Sequence, residues 1–196
     1  VMLSLSNLLP LVGQSFQAPR PTFARLRQLQ LPREVLWQAL LLVVVLSVLL
    51  AEVSAMLFLS TGTVEADAQM IISPAVFGVV QFSLLVAMIF AIHYVGRAMG
   101  GTGDFAGAIL LVVWLQFVMV CLQVVQSVAM FVMPPLAGLV LIAGLVLFMW
   151  LLTNFVAELH GFDGLGKVFA MILFTMLGFA LGLTFLMTLL GVTVPR

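Results

Sequence analysis

Few residues of this chain carry groups that could do chemistry. The stretch GRAMGGTGDF, residues 96–105, crowds Gly100, Gly101 and Gly103 into four positions ahead of Asp104 and a long apolar run. Backbone N–H groups in such a loop, at the start of a helix, can cradle a phosphate. The GK[ST] signature is missing, however, and no basic residue follows in the next turn. Asp104 also stands where an anion would go, and a carboxylate there caps the free N–H groups and complements the helix dipole. The loop therefore reads as a turn between two helices, its glycines supplying positive φ. The stretch ELHGFDGLGKVF, residues 158–169, has the same composition, with Gly161, Gly164, Gly166 and Asp163 ahead of another apolar run. Asp104 and Asp163 are the expected helix caps of the two turns.

His93 and His160 fall near the same turns as Asp104, Glu158 and Asp163, and imidazoles with carboxylates suit a metal ion. No i,i+4 histidine pair or HExxH presets such a geometry. Histidines capping helix ends are the expectation, with no metal and no cofactor. Glu52 interrupts an apolar run. An ionised acid at the centre of a membrane costs roughly 2.5–3.5 kcal/mol, so Glu52 is expected to stay neutral, to hydrogen-bond between helices or to reach toward one surface. The competing reading is a proton or cation relay.

Amides and hydroxyls come next. Gln116, Gln123 and Ser127 fall on one helical face, with Gln126 beside it. Facing lipid they would be unsatisfied, so this face is expected to point at protein, either within the bundle or on a partner. Gly178 and Gly182, four apart, let two helix backbones approach closely. Internal packing is the first expectation for that pair and homodimerisation the alternative. Ala87 and Ala91 repeat the spacing, as do Ala180, Thr184 and Thr188. The lone cysteine, Cys121, lies inside an apolar run and excludes an internal disulfide.

The elements that must position these residues are membrane helices. Of 196 residues 64% are apolar and 7% charged, against about 25% charged in soluble domains. The formal net charge is zero, which gives no electrostatic reason to expect nucleic acid. Crossing ~30 Å of hydrocarbon takes about 20 apolar residues in a helix. Five stretches qualify, at about 37–59, 75–95, 105–133, 136–156 and 168–190. The runs are unbroken, unlike the short alternating segments of a barrel. The fold class expected is all-α: a polytopic bundle of five transmembrane helices filling 37–196, preceded by a segment, 1–36, at the membrane surface. Pro134 and Pro135 leave almost no loop, so the third and fourth spans must be antiparallel neighbours.

In the N-terminal segment Pro21 is expected to open a helix whose Arg25 and Arg27 sit at headgroups while Phe23, Leu26 and Leu29 dip into the acyl boundary. The first residues do not read as a secretory signal, since Asn7 and Pro10 break the apolar stretch and no basic residue precedes it. Arg20, Arg25, Arg27, Arg33, Arg97 and Lys167 share one side if the five spans alternate; the other side has Arg196, Glu65 and Asp67. Positive residues favour the cytoplasm, so the N-terminus is expected inside and the C-terminus outside. Trp37 and Tyr94 then land at the inner interface.

The stretches GRAMGGTGDFAGAILLVVW (96–114), PP (134–135) and NFVAELHGFDGLGKVF (154–169) resemble the bacterial branch of the Yip (Ypt-interacting-protein) domain family. The resemblance covers roughly residues 34–190. It implies five spans, a cytoplasmic N-terminus and no catalytic residue. Eukaryotic members bind Rab-type GTPases and act in vesicle traffic, but their longer N-terminal region has no counterpart in residues 1–36, so Rab binding is not carried over.

The function expected is that of a non-enzymatic scaffold, adaptor or accessory subunit in a bacterial inner membrane. It would act through helix contacts with other integral membrane proteins or a larger complex, in membrane organisation or trafficking. The alternative is a small transporter or channel using Glu52 and the Gln116/Gln123 face. No acid, base and nucleophile gather at one depth, so an enzyme is not expected.

Overall fold

A computed structural model describes residues 5–60 and 73–189; Glu65, Asp67 and Arg196 lie outside the described residues. Apolar runs this long form helices because lipid leaves every backbone group to be satisfied within its own segment. The described residues form α1 (Leu5–Gln17), α2 (Pro19–Arg27), α3 (Arg33–Ser60), α4 (Pro74–Ala98), α5 (Phe105–Val132), α6 (Pro134–His160) and α7 (Leu165–Leu189), with no strand among them. Five of these, α3 to α7, are long and apolar enough to cross a membrane.

Local chemistry sets the ends. Pro19 and Pro74 open α2 and α4 at positions where a missing N–H costs nothing. Ser73 caps α4 by accepting from the Val76 N–H at 3.3 Å. Met133 is extended (φ −156°, ψ 96°) between α5 and α6, as expected of a residue before proline. Pro134 and Pro135 then start α6 at once, and α5 and α6 form the most extensive helix–helix contact. Gly144 lets them close: a Cβ there would stand 2.6 Å from Leu122 Cδ2.

The helix α5 is the axis of the bundle, touching α2, α3, α4 and α6. In its most apolar stretch 50% of residues are buried, against 11% in those of α4 and α7. Burial concentrates at the end that carries α2. It takes in Phe23 and Leu26, Leu36 and Leu40, Ile89 and Ile92, the first half of α5, and Leu151 to Leu159 of α6. Toward the opposite end the helices open, and Val132, Leu139, Ile142, Leu181 and Phe185 are exposed apolar side chains.

The N-terminal helices depart from the sequence expectation. The second helix opens at Pro19, ahead of Pro21. Phe23 and Leu26 face protein: they are buried in the core, and the Phe23 ring stacks on Phe155 of α6 at a centroid distance of 5.2 Å. The apolar face that was expected to meet acyl chains packs instead on α6, with Phe155 against Phe23. The preceding α1 is tied in by Trp114 of α5, whose indole N–H donates to the buried Ser15 hydroxyl at 3.0 Å.

Candidate functional site

Both turns at the α2 end are built alike. Each preceding helix finishes on a glycine in the left-handed region, Gly100 (φ 89°) and Gly161 (φ 71°). In each, the following N–H reaches back to the carbonyl five residues earlier, Gly101 to Gly96 at 2.9 Å and Phe162 to Ala157 at 2.9 Å. This pattern satisfies carbonyls that a helix end leaves free.

The two turns are joined by His160. Its side chain is buried between them, and its Nδ1 accepts the Gly103 N–H at 3.1 Å. Its Nε2 stands 3.0 Å from the Ile92 carbonyl oxygen. A neutral imidazole carries one N–H, so Nδ1 as acceptor assigns the proton to Nε2, which donates to Ile92. The backbone adds a third tie, the Thr102 N–H donating to the His160 carbonyl at 3.2 Å. Three glycines make the room: a Cβ on Gly96, Gly101 or Gly103 would fall under 3.0 Å from imidazole atoms. A Cβ on Gly107 would likewise overlap Leu159 Cδ1. Of the glycines in GRAMGGTG, only Gly100 adopts positive φ; Gly96, Gly101 and Gly103 are there for close approach.

Arginines of α2 close this end. Arg20 Nη2 donates to the Phe162 carbonyl at 2.8 Å, while its Nε is buried without a partner. Arg27 Nη2 stands 3.3 Å from Asp104 Oδ1. Both side chains are well exposed, so this ion pair contributes at most about 1 kcal/mol. Asp104 Oδ2 accepts the Gly107 N–H at 3.2 Å, making Asp104 the N-cap of α5. Asp163 forms no cap: α7 begins at Leu165, and the carbonyl accepting the Val168 N–H is that of Gly164, one residue further on.

A second polar group lies mid-bundle, where α3, α4 and α5 meet. The Ser47 hydroxyl donates to Gln123 Oε1 at 3.2 Å and accepts from Gln81 Nε2 at 3.1 Å. Gln123 Nε2 donates to the Ser47 carbonyl at 3.3 Å. About one turn further along α5 and two along α3, the Ser54 and Ser127 hydroxyls are 2.9 Å apart. Gln81 Oε1 is buried with no hydrogen-bond partner. Gln116 and Gln126 are half-buried on α5 and outside this network. Glu52 is half-buried on α3 and has no ion pair among the described residues.

Gly178 and Gly182 lie on the open part of α7, where an added Cβ would meet nothing within 4 Å. His93 packs edge-on against Phe105 at a centroid distance of 5.4 Å, and its Nδ1 is buried without a partner. Among the described residues no group of three or more His, Cys, Asp or Glu converges to hold a metal ion.

Sequence reasoning missed Ser47 and Gln81, which were as visible in their apolar runs as Gln123. It also missed the link from His160 to the glycines, for which spacing gives no signal: Gly103 and His160 are 57 residues apart. Chemically, both imidazole nitrogens are engaged and the surrounding space is filled, so His160 acts as a brace between two turns. The model of the family described as "Yip1 domain" matches residues 13–187. No curated protein and no solved structure matches the chain.

Proposed function

Because the chain belongs to the Yip1 domain family and is an integral membrane protein with five apolar helices, we propose that it serves as a non-enzymatic scaffold, adaptor or accessory subunit in membrane organisation or trafficking. It acts by offering a helix surface to another integral membrane protein or complex. The observation that carries this reading is the bare second half of α7. Its main neighbour is α6, yet Gly178 and Gly182 present open backbone, the feature that lets a second helix pack closely within lipid. Here the pair serves a partner helix, or a second copy of the chain, in preference to internal packing. Gln123 and Ser127, by contrast, bond to α3 within the chain, which supports a structural role for that face over a transport path.

In this reading the end bearing Arg20, Arg25, Arg27, Arg33, Arg97 and Lys167 faces the cytoplasm of a bacterial inner membrane. Cross-linking in native membranes tests the α7 surface. Replacing Gly178 and Gly182 together by leucine, at positions where an added Cβ meets nothing within 4 Å, is expected to remove the cross-linked neighbour while an unchanged melting temperature confirms that the variant folds. A neighbour captured equally well by the variant contradicts the assignment.

A further inference from the structure

An apolar cleft of about 420 Å³ opens between α4, α6 and α7, a volume within the usual range for small-molecule sites (about 300–1,000 Å³). On one side it is walled by Ala87 and Ala91, whose short side chains keep α4 from filling it, and on the other by Thr175 and Phe179 of α7. Met171 lines the cleft and also a second pocket, of about 310 Å³, at the α2 end. That pocket is walled by Gly161, Phe162, Asp163 and Lys167. The Phe162 wall is fixed in place by Arg20. Asp163 and Lys167 are exposed, and neither forms an ion pair among the described residues. The apolar cleft and a pocket that holds one cation and one anion thus lie side by side, with Met171 between them.

We propose that this composite site binds a phospholipid with a primary-amine zwitterionic headgroup. One acyl chain lies in the cleft, the phosphate meets Lys167 and the ammonium meets Asp163. The charge pattern selects the class. A singly anionic headgroup would pair with Lys167 but face the Asp163 carboxylate, whereas an ethanolamine headgroup satisfies both. The cleft is lined almost wholly by apolar side chains of α4, α6 and α7, which suits an acyl chain.

The test uses the full-length chain in detergent, with phosphatidylethanolamine and phosphatidylglycerol of matched acyl chains as probes and lipid retention in native mass spectrometry as the readout. Phosphatidylethanolamine is expected to be retained preferentially. Lys167→Gln, at an exposed position, weakens its retention about tenfold, as expected for a lost charge-assisted hydrogen bond. Asp163→Asn removes the preference over phosphatidylglycerol. Ala91→Phe fills the cleft and lowers retention of both lipids, with the melting temperature of the lipid-free protein confirming that the variant folds. Equal retention of the two lipids by the unaltered chain overturns the proposal. So does phosphatidylethanolamine retention that is unchanged in both Lys167→Gln and Ala91→Phe, or a second copy of the chain found in the cleft in place of lipid.

Discussion

The two ends of this bundle are made of the same kinds of residue and packed in opposite ways. At the α2 end, small residues meet large partners: Gly96, Gly101 and Gly103 enclose His160, and Gly107 admits Leu159. Toward the other end Gly138, Gly178 and Gly182 meet nothing within 4 Å, while Gly78 touches Val48 and Gly144 admits Leu122. Apolar side chains there, Leu181 and Phe185 among them, remain exposed. Within lipid there is no hydrophobic drive to pull helices together, so close packing depends on shape and hydrogen bonds. The comparison shows that a glycine by itself does not close a membrane bundle; a facing side chain that fits its gap does.

The sharpest way to break the contrast is His160→Ala. It leaves a cavity and strips the Gly103 N–H and the Ile92 carbonyl of a buried partner. The expected loss is about 3–5 kcal/mol, read as a large drop in melting temperature of the purified protein; a drop of a degree or two would mean that the turns hold without the imidazole. Gln123→Leu in the mid-bundle network is expected to cost roughly 0.6 kcal/mol and no more than about 1.7, the span measured for hydrogen bonds between membrane helices. A double-mutant cycle with Ser47→Ala isolates that coupling, and a value near zero would dismiss the network as incidental. Smallest is Arg27→Gln, which removes an exposed ion pair and is expected to shift stability by at most about 1 kcal/mol, less still in high salt. A larger shift would mean that Arg27 holds α2 in place by more than its contact with Asp104.

Much of the architecture is legible in the amino-acid order because it depends on near neighbours. Unbroken apolar runs mark the five long helices, the Pro134–Pro135 pair marks their tightest joint, and the Asp104 cap follows from a carboxylate directly ahead of a helix. Features that depend on distant partners are not legible in this way. An amphipathic α2 reads the same whether Phe23 meets acyl chains or Phe155. Glycines in a turn suggest positive φ, yet most of those around His160 serve close approach. Asp163 looks like a cap, but the start of α7 at Leu165 places it one residue too early. The pair Gly178 and Gly182 has the spacing of a packed interface, and only the positions of the other helices show that its face is open.

The claim that joins these observations is that the glycines around His160 and those on the open face of α7 have opposite roles, and one paired substitution tests it directly. Thermal unfolding of the purified Gly96→Ala and Gly182→Ala proteins compares the same chemical change in two helices. In Gly96→Ala the new methyl overlaps the His160 ring, and overpacking of this kind costs about 1–3 kcal/mol, so its melting temperature falls. In Gly182→Ala the methyl meets open space, and the better helix propensity of alanine, worth up to about 1 kcal/mol, raises it. Shifts of opposite sign are the predicted result; shifts of the same sign, or a stabilised Gly96→Ala, would contradict the account.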